Sequence, residues 1–251
     1  MQINAYPEIV MENVIKKFDD INAVDNVSLR IARGEMFGLL GPNGAGKTTI
    51  VNILCGLIKP TSGFVTVGGY SLPKNLEDLK RIIGVCLQET TVYPYLNCEE
   101  NIELFGGLHA MKKDLFEIRK RLLLTKLGLY NVSRKKVEKY SGGMKRRLSL
   151  ILALIHDPQI IFLDEPTIGM DPQSRRSVWD FIKELKNENK TIFLTTHYME
   201  EAETLCDRVG IVDFGKLIAV DTPKNLILKN GVNNLEEVFI KLAGRRIRDG
   251  V

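Results

Sequence analysis

A glycine-rich segment follows the apolar run Met36 to Leu40 and opens a helical pattern. Its residues are Gly41-Pro42-Asn43-Gly44-Ala45-Gly46-Lys47-Thr48, which match the spacing GxxxxGK[ST] at every fixed position. Glycines here let several backbone N–H groups converge on an anion, and the N-terminus of the following helix adds its positive end. We expect Lys47 to reach the β- and γ-phosphates of a nucleotide and the Thr48 hydroxyl to bind Mg²⁺. The predicted nucleotide contacts of this segment are Gly41, Pro42, Asn43, Gly44, Ala45, Gly46, Lys47, Thr48 and Thr49.

A second apolar run, Ile160 to Leu163, ends in the carboxylates Asp164 and Glu165. A buried strand of this kind delivers its charged end to the carboxyl edge of a parallel sheet, where ligands bind in such folds. We expect Asp164 to hold Mg²⁺, directly or through water, and Glu165 to orient and deprotonate an attacking water. Taken alone such a strand end is common, and an acidic pair that caps a helix before Pro166 is the alternative. Combined with the phosphate loop, the pair predicts ATP hydrolysis.

Between these two motifs the sequence carries Tyr140-Ser141-Gly142-Gly143-Met144. Alone, an SGG run is also an ordinary helix start with flexible glycines. The accompanying motifs are Gln88 at the end of an apolar strand, Gly169-Met170-Asp171 after the carboxylates, and His197 after the run Thr191 to Leu194. With its motifs in this order the chain, from about Ile9 to Leu242, resembles the ABC ATPases.

The resemblance implies an assembly as well as an activity. Ser141, Gly142 and Gly143 correspond to the family's signature, an anion site at a helix start that would face the ATP held by an opposite subunit. Two chains, identical or paralogous, would then enclose two nucleotides head to tail, and ATP would stabilise the closed dimer. Asp171 is placed beside the nucleotide by the same resemblance, with its contact to the opposite subunit left open.

Three further site residues come from the resemblance. His197 is expected to contact the γ-phosphate and hold the water in place, Gln88 to sense Mg²⁺ and that water, and Phe18 to stack on adenine. Each has a plainer alternative: a structural histidine, a surface glutamine at a strand end, and a core phenylalanine. The predicted catalytic residues are Glu165, His197 and Gln88, and the predicted Mg²⁺ ligands are Thr48, Gln88 and Asp164.

Three features depart from the commonest family pattern, and one of them, the Gly169-Met170-Asp171 turn, keeps its acidic residue. Met144 stands where glutamine usually closes the signature, so we expect altered kinetics rather than inactivity, because the anion-binding serine and glycines remain. Phe18 replaces tyrosine and keeps the ring face that stacking uses. Three segments together resemble the ABC-2 type, drug-resistance exporter branch, which implies export: Tyr140 to Arg147, Thr195 to Glu203 and Leu235 to Phe239.

The motifs lie among short apolar runs that alternate with helical patterns, which predicts an α/β fold with mostly parallel strands. Strands are predicted at Ile9 to Val14, Met36 to Leu40, Ile83 to Leu87, Ile160 to Leu163, Thr191 to Leu194 and Arg208 to Val212, and helices at Glu99 to Leu108, Leu115 to Leu127 and Met144 to Ile155. A helical subdomain at about 89–157 is thus predicted inside a core at about 1–88 and 158–221, followed by a helical tail at about 222–251. The resemblance implies that the chain is a single P-loop NTPase domain of the ABC type, with a small N-terminal antiparallel β part.

Composition narrows the class of function. A formal net charge of +4, without a basic stripe interleaved with aromatics, argues against nucleic-acid binding. The basic runs Arg134 to Lys136 and Lys145 to Arg147 are expected to be solvated helix faces. The 4 cysteines lack metal-ligand spacing, which favours reduced thiols in a reducing compartment. The segment Met1 to Val10 lacks a secretion pattern, and no apolar run approaches the roughly 20 residues that cross a bilayer.

The resemblance also implies a partner: a separate integral membrane permease, with this chain peripheral on the cytoplasmic side of the membrane. The aromatic run Val92-Tyr93-Pro94-Tyr95-Leu96 is the candidate contact, and packing inside the helical subdomain is the alternative. Three rival functions are an ABC-type ATPase acting on nucleic acid or ribosomes without a permease, a P-loop kinase or GTPase, and a nucleotide-binding module without catalysis. The single cassette argues against the first rival, and the signature argues against the second. The pair Glu165 and His197 argues against the third.

Overall fold

The computed structural model describes residues 7–243, in which two β-sheets are surrounded by helices. The strands are β1 Pro7–Phe18, β2 Ile21–Ala32, β3 Met36–Leu40, β4 Ser62–Val67, β5 Tyr70–Ser71, β6 Ile83–Cys86, β7 Ile160–Asp164, β8 Thr191–Thr196, β9 Arg208–Asp213 and β10 Lys216–Asp221. The α-helices are α1 Lys47–Leu54, α2 Leu76–Ile82, α3 Cys98–Leu108, α4 Lys113–Lys126, α5 Gly142–Leu154, α6 Pro172–Asn187, α7 Met199–Leu205, α8 Pro223–Asn230 and α9 Leu235–Ala243. Short 3₁₀ helices cover Tyr130–Val132 and Val137–Lys139.

The larger sheet has the strand order β10-β9-β3-β8-β7-β6. The strands from β9 to β6 pair in parallel, whereas β10 runs antiparallel to β9. Strands β3, β7 and β8 are buried along their whole length, as expected of a parallel sheet covered on both faces. Their carboxyl ends lie side by side, since Leu40 pairs with Thr196 and Asp164 with Thr195. The phosphate loop, the acidic pair and His197 therefore leave the sheet at one edge.

Each face of this sheet carries its own apolar core, because successive side chains of a strand point to opposite faces. In β7, Ile161 and Leu163 belong to one core, which includes helices α3 to α7 and the tail. Phe162 belongs to the other core, which includes α1 and the smaller sheet. Burying such a side chain contributes about 1.5–3 kcal/mol, so both faces fix the strand that carries the acidic pair.

The smaller sheet is antiparallel, with the order β2-β1-β4-β5, and the predicted α/β fold class with its N-terminal antiparallel part is confirmed. The sequence prediction was incomplete here, because it located only Ile9 to Val14 of β1 and missed β2, β4, β5 and β10. Register shifts interrupt the pairing of β1 with β2 at several points, and such bulges blur the alternation that marks a strand. The long β1–β2 pair ends at Phe18, directly before the turn that leads into β2.

Helices replace strands between β6 and β7, as the sequence predicts. Helix α3 begins with a capping box in which Asn97 and Glu100 bond each other's backbone N–H. Helix α5 begins at the side chain of Ser141, which accepts from the Met144 N–H. Within the described part of the chain, the stretch 89–157 contains no strand beyond one isolated bridge between Asn97 and Lys136. Its division from the core and the tail, at the predicted boundaries, stays a prediction.

The tail packs its two helices back onto the core. On α9 Leu235 and Val238 are buried, and Phe239 and Leu242 pack against the same core. Residues 244–251 of the predicted tail lie outside the described residues. None of the helices described in residues 7–243 has the length and apolar character needed to cross a membrane. The 4 cysteines are buried thiols.

Candidate nucleotide-binding and hydrolysis site

A cavity of about 350 Å³ opens at the carboxyl edge of the larger sheet. Its lining residues are Ala23, Asn43, Gly44, Gly46, Lys47, Thr48, Thr49, Gln88 and Glu165. All of them except Ala23 are predicted from the sequence. The remaining loop residues Gly41, Pro42 and Ala45 lie beneath this surface: Gly41 and Ala45 are buried and Pro42 is half-buried.

Ala23 escapes sequence reasoning because it contributes its backbone. A Cβ built on Gly46 would lie 2.3 Å from the Ala23 carbonyl oxygen, and Gly46 has φ +103°. Both the space and the backbone angle therefore require glycine at this position. Gly46 also stands immediately before α1, whose first N–H groups have no partner within the helix. The tight approach of loop to strand β2 fixes where a phosphate can meet those N–H groups.

Lys47 is buried, and its ammonium group lies within the loop and beside the acidic pair. Its Nζ donates to the carbonyl oxygens of Gly41 at 2.8 Å and Pro42 at 3.1 Å. The same Nζ lies 3.5 Å from Glu165 Oε1, and both side chains are 5% exposed. A buried carboxylate requires a compensating charge, and Lys47 supplies it.

The other oxygen of Glu165 faces His197. Glu165 Oε2 lies 2.9 Å from His197 Nδ1, and because an ionised carboxylate only accepts, Nδ1 is the donor. The Nε2 atom on the opposite side of the ring then points away from Glu165. The structure thus brings together Lys47, Glu165 and His197, which come from three separate segments of the sequence.

Glu165 has a backbone conformation that sequence reasoning did not anticipate. Its φ is +49°, in the left-handed region that non-glycine residues rarely adopt. The surrounding structure fixes it: its N–H donates to both the carbonyl and the hydroxyl oxygen of Thr195, each at 3.1 Å. Such strain costs about 1–3 kcal/mol and is often found at functional sites, where it aims a side chain.

Asp164 is fully buried at the end of β7, with one oxygen satisfied and one open. Oδ1 accepts from the Thr195 hydroxyl, whereas Oδ2 has no hydrogen-bond partner among the described residues. A buried, unpartnered carboxylate oxygen fits a site for a hard cation, directly or through water. Thr48 and Gln88, the other predicted Mg²⁺ ligands, are exposed and line the same cavity.

Phe18 and the signature residues lie outside the lining of this cavity, which is drawn from residues 7–243. Phe18 is 45% exposed, so it is not a core phenylalanine, and Lys16 Nζ lies 4.9 Å from its ring centroid. Ser141 and Gly142 are exposed and Gly143 is half-buried at the start of α5. These groups present an open helix start to solvent, away from this chain's own phosphate cavity.

Asp171 caps a helix in this structure. Its carboxylate accepts from the Ser174 N–H at 3.0 Å at the start of α6. Hydrogen bonds from the Ser174 side chain and backbone hold the pKa of Asp171 below its usual value. Asp171 is exposed, so capping leaves its surface open to a second chain.

This geometry agrees with the comparisons to known proteins. The sequence profile described as ABC transporter matches residues 24–168, which include the phosphate loop, the signature and the acidic pair. The chain belongs to the ABC transporter family. The solved structure described as the ATP-binding subunit of an ABC transporter superposes with a TM-score of 0.86 at 27% identity, covering 93% of this chain and 98% of that one. The predicted resemblance to ABC ATPases is confirmed.

Relatives of this ABC ATPase include subunits named for drug resistance. It is 39% identical to the linearmycin resistance ATP-binding protein LnrL of Bacillus subtilis (strain 168), over 91% of this chain and 74% of that one. It is 40% identical to the daunorubicin resistance ATP-binding protein DrrA3 of Streptomyces coeruleorubidus, over 94% and 75%. A dimeric ATP-binding cassette in a post-hydrolysis state with ADP and Pi superposes with a TM-score of 0.78 at 28% identity, over 85% and 98%.

The structure corrects both predictions about the basic residues of this ABC ATPase. Arg134 to Lys136 are exposed as expected, but they lie between the two 3₁₀ helices rather than on a helix. Lys145 to Arg147 were expected to form a solvated helix face, and for Arg146 this is wrong: it is 2% exposed. The one available signal lay in the helical spacing, which puts position 146 on the same face as the apolar Leu150. The local net charge pointed the other way, because three consecutive basic residues usually mark a solvent-exposed surface.

Proposed function

We propose that this ABC ATPase works as a dimer on the cytoplasmic side of a membrane, where ATP hydrolysis drives export through a separate permease. The observation that carries the proposal is the division of the site. Glu165, Lys47 and His197 meet in one cavity, while Ser141 opens a helix outside that cavity. A second chain that brings its own Ser141 to the cavity would complete the enclosure of the nucleotide.

In the proposed reaction, ATP phosphates replace the loop carbonyls as acceptors for Lys47. This releases Glu165 Oε1 from its contact with Lys47 Nζ, a distance of 3.5 Å in this structure. Glu165 then accepts a proton from a water whose oxygen attacks the γ-phosphorus, and the bond from that phosphorus to the β–γ bridging oxygen breaks to give ADP and inorganic phosphate. His197 keeps the carboxylate oriented through Nδ1. When both ring nitrogens carry protons, Nε2 can donate to a γ-phosphate oxygen.

Mg²⁺ is proposed to bind between the phosphates and the residues Thr48, Gln88 and Asp164. Mg²⁺ keeps several waters and uses one or two carboxylates together with substrate phosphates, which suits the single open Oδ2 of Asp164. The bound ion would neutralise charge that develops on the phosphoryl oxygens. Phe18, exposed at the end of β1, is proposed to stack on the adenine ring.

A mixing experiment tests the dimer. In a head-to-tail dimer, Lys47→Met and Ser141→Arg damage the two halves of one site when they occur in different chains. Each variant alone is therefore expected to lose nearly all turnover, because both of its sites are damaged. Mixing the two at equal amounts should restore about a quarter of wild-type ATPase activity, since half the dimers are mixed and each has one intact site.

A matched control uses two changes on the same half of the site. Lys47→Met mixed with Glu165→Gln leaves both sites of the mixed dimer damaged, so no activity should return. Activity is measured as phosphate release from ATP at fixed total protein. Equal recovery in both mixtures, or recovery in neither, would contradict the head-to-tail arrangement.

The permease contact is proposed at the aromatic loop that follows Gln88. Tyr93 is 53% exposed and Tyr95 is 75% exposed, so neither ring fills the core of the helical part. Beside this loop lies a mostly apolar cavity of about 330 Å³, lined in part by Thr91, Phe105 and Leu57. Exposed aromatic rings and apolar surface grooves are both enriched at protein interfaces.

Changing Tyr93 and Tyr95 to alanine is expected to lower the fraction of the chain recovered with membranes by about tenfold, because aromatic anchors dominate interfaces. ATP affinity should stay unchanged, since the rings point to solvent. The measurement is sedimentation of membranes that contain the chain and its permease, with Tyr130→Ala, another exposed tyrosine, as the control. Loss of ATP binding or solubility in the double variant would instead assign the rings to packing.

Export is proposed because the relatives LnrL and DrrA3 are named for resistance to linearmycin and daunorubicin. The rival function, an ABC ATPase that acts on nucleic acid or ribosomes, predicts a different companion in the cell. Affinity purification of the tagged chain from gently solubilised membranes decides between them. A multi-span membrane protein at comparable amount supports the permease, and recovery with ribosomes or nucleic acid supports the rival.

A further inference from the structure

Arg146 is the one member of its basic run that is almost completely buried. It is 2% exposed, whereas Lys145 and Arg147 on either side are half-buried. It lies near the start of α5, in the turn that follows the Ser141 cap. A buried guanidinium needs its charge and its donors satisfied, so its contacts should reveal why it is there.

Every N–H of this guanidinium has a backbone carbonyl as its acceptor. Nε donates to Pro166 at 3.1 Å, Nη1 to Gln88 at 3.0 Å and to Leu87, and Nη2 to Glu165 at 2.9 Å and to Asp164. Arginine has five N–H donors in a fixed plane, and all five are used. Among the ion pairs of residues 7–243, none includes Arg146.

The five carbonyls belong to the two segments that carry the proposed chemistry. Leu87 and Gln88 directly follow β6, and the run 164–166 is the last residue of β7 with the turn after it. One rigid side chain thus joins helix α5 to both segments. Both backbone polar groups of Glu165, which has a left-handed conformation, are hydrogen-bonded: its N–H donates to Thr195 and its carbonyl accepts from Arg146.

We propose that Arg146 is a positioning residue that fixes Glu165 and Gln88 relative to each other and to the signature helix. The proposal rests on the proposed function, because Glu165 acts there as the base. Without the guanidinium, the turn after β7 loses the contacts on its carbonyl side, and the Glu165 carboxylate is no longer aimed at one point. A displacement of about 1 Å at a reacting group can lower a rate about 100-fold.

The requirement is for arginine rather than for positive charge. Lysine keeps the charge but has three donors on a single atom, and glutamine has two, so neither can reach the five carbonyls. Leaving some of these buried carbonyls unpaired would free the two segments to move separately. Arg146→Lys is therefore expected to fail as a replacement almost as completely as Arg146→Gln.

The test compares Arg146→Lys and Arg146→Gln with the same two changes at Arg147. Arg147 is the matched control because it lies on the same helix but donates to the carbonyl of Leu127, in the helical part. In the Arg146 variants kcat should fall about 100-fold while KM for ATP stays within about threefold. The Arg147 variants should keep kcat within about twofold. A kcat within twofold of wild type in Arg146→Lys would overturn the proposal.

Hydrogen exchange of the nucleotide-free chain provides a readout that does not depend on activity. The Arg146 variants should exchange faster at residues 87–90 and 164–168, with protection elsewhere unchanged. Faster exchange across the whole chain, or failure of both variants to fold, would overturn positioning and make Arg146 a general stabiliser. If wild type releases no phosphate, the proposed function fails, while the local exchange pattern still decides whether Arg146 holds the two segments.

Discussion

Glu165→Gln is expected to bind ATP about as tightly as wild type and to hydrolyse it about 1,000-fold more slowly. Glutamine keeps the size of the side chain but cannot accept a proton from water. In the structure, the carboxylate is 5% exposed and lies between Lys47 Nζ at 3.5 Å and His197 Nδ1 at 2.9 Å. The proposed base therefore lies where it would meet the attacking water and the γ-phosphate.

Two measurements separate binding from chemistry in this variant. Equilibrium binding of ATP by titration calorimetry should be unchanged, and phosphate release under saturating ATP should fall. Glu188→Gln, the same change at an exposed carboxylate at the end of α6, serves as the control and should match wild type in both. Turnover within tenfold of wild type in Glu165→Gln would assign the base to another group.

The neutral amide also has a consequence for assembly. In the proposed dimer hydrolysis removes the phosphate that joins the two chains, so a variant that binds ATP without hydrolysing it should accumulate as a dimer. Gel filtration of Glu165→Gln with Mg²⁺ and ATP should therefore show a species of twice the monomer mass, and ADP should not produce it. An ATP-dependent dimer would support contact between the cavity of one chain and Ser141 of the other, and it can be observed without measuring transport.

The carboxyl edge of the parallel sheet could be predicted because each of its strands is a short, continuous apolar run. Such runs occur only where both faces of a strand are covered, and parallel pairing then places their ends together. That reasoning put Asp164 and the phosphate loop at one edge, and the register of β3, β8 and β7 has them there. The arrangement of the carboxyl edge thus follows from local apolar patterns and from the rule that ligands bind at the carboxyl ends of parallel strands.

The smaller sheet and the supports of the site could not be predicted in the same way. Strand β2 pairs with β1 through several register shifts, so its apolar and polar residues do not alternate cleanly. The left-handed φ of Glu165 depends on Thr195, which is 30 residues away in sequence. The burial of Arg146 depends on carbonyls of two distant segments. All three features depend on tertiary contacts, which local sequence propensity does not predict.

Lys47→Met is expected to weaken ATP binding by about 100-fold or more. The variant loses the two expected hydrogen bonds from Lys47 Nζ to the β- and γ-phosphates, and charge-assisted bonds of this kind contribute about 1.5–3 kcal/mol each. Methionine preserves an unbranched stem of similar length, so the packing beneath the loop is kept. Lys47 Nζ now donates to the Gly41 and Pro42 carbonyls, at 2.8 and 3.1 Å, and these bonds are exchanged for phosphate oxygens when the nucleotide enters. The measurement is the dissociation constant for ATP from titration calorimetry.

The choice of ligand makes this prediction specific to phosphate recognition. AMP lacks the β- and γ-phosphates that Lys47 is expected to contact, so its weaker affinity should be the same in Lys47→Met and wild type. Lys183→Met, at an exposed position of α6, is the control for the loss of one positive charge from the protein. If ATP and AMP affinities fell together, the loop would have changed shape. If ATP affinity stayed within threefold of wild type, the backbone N–H groups of the loop and α1 would be the main source of phosphate binding.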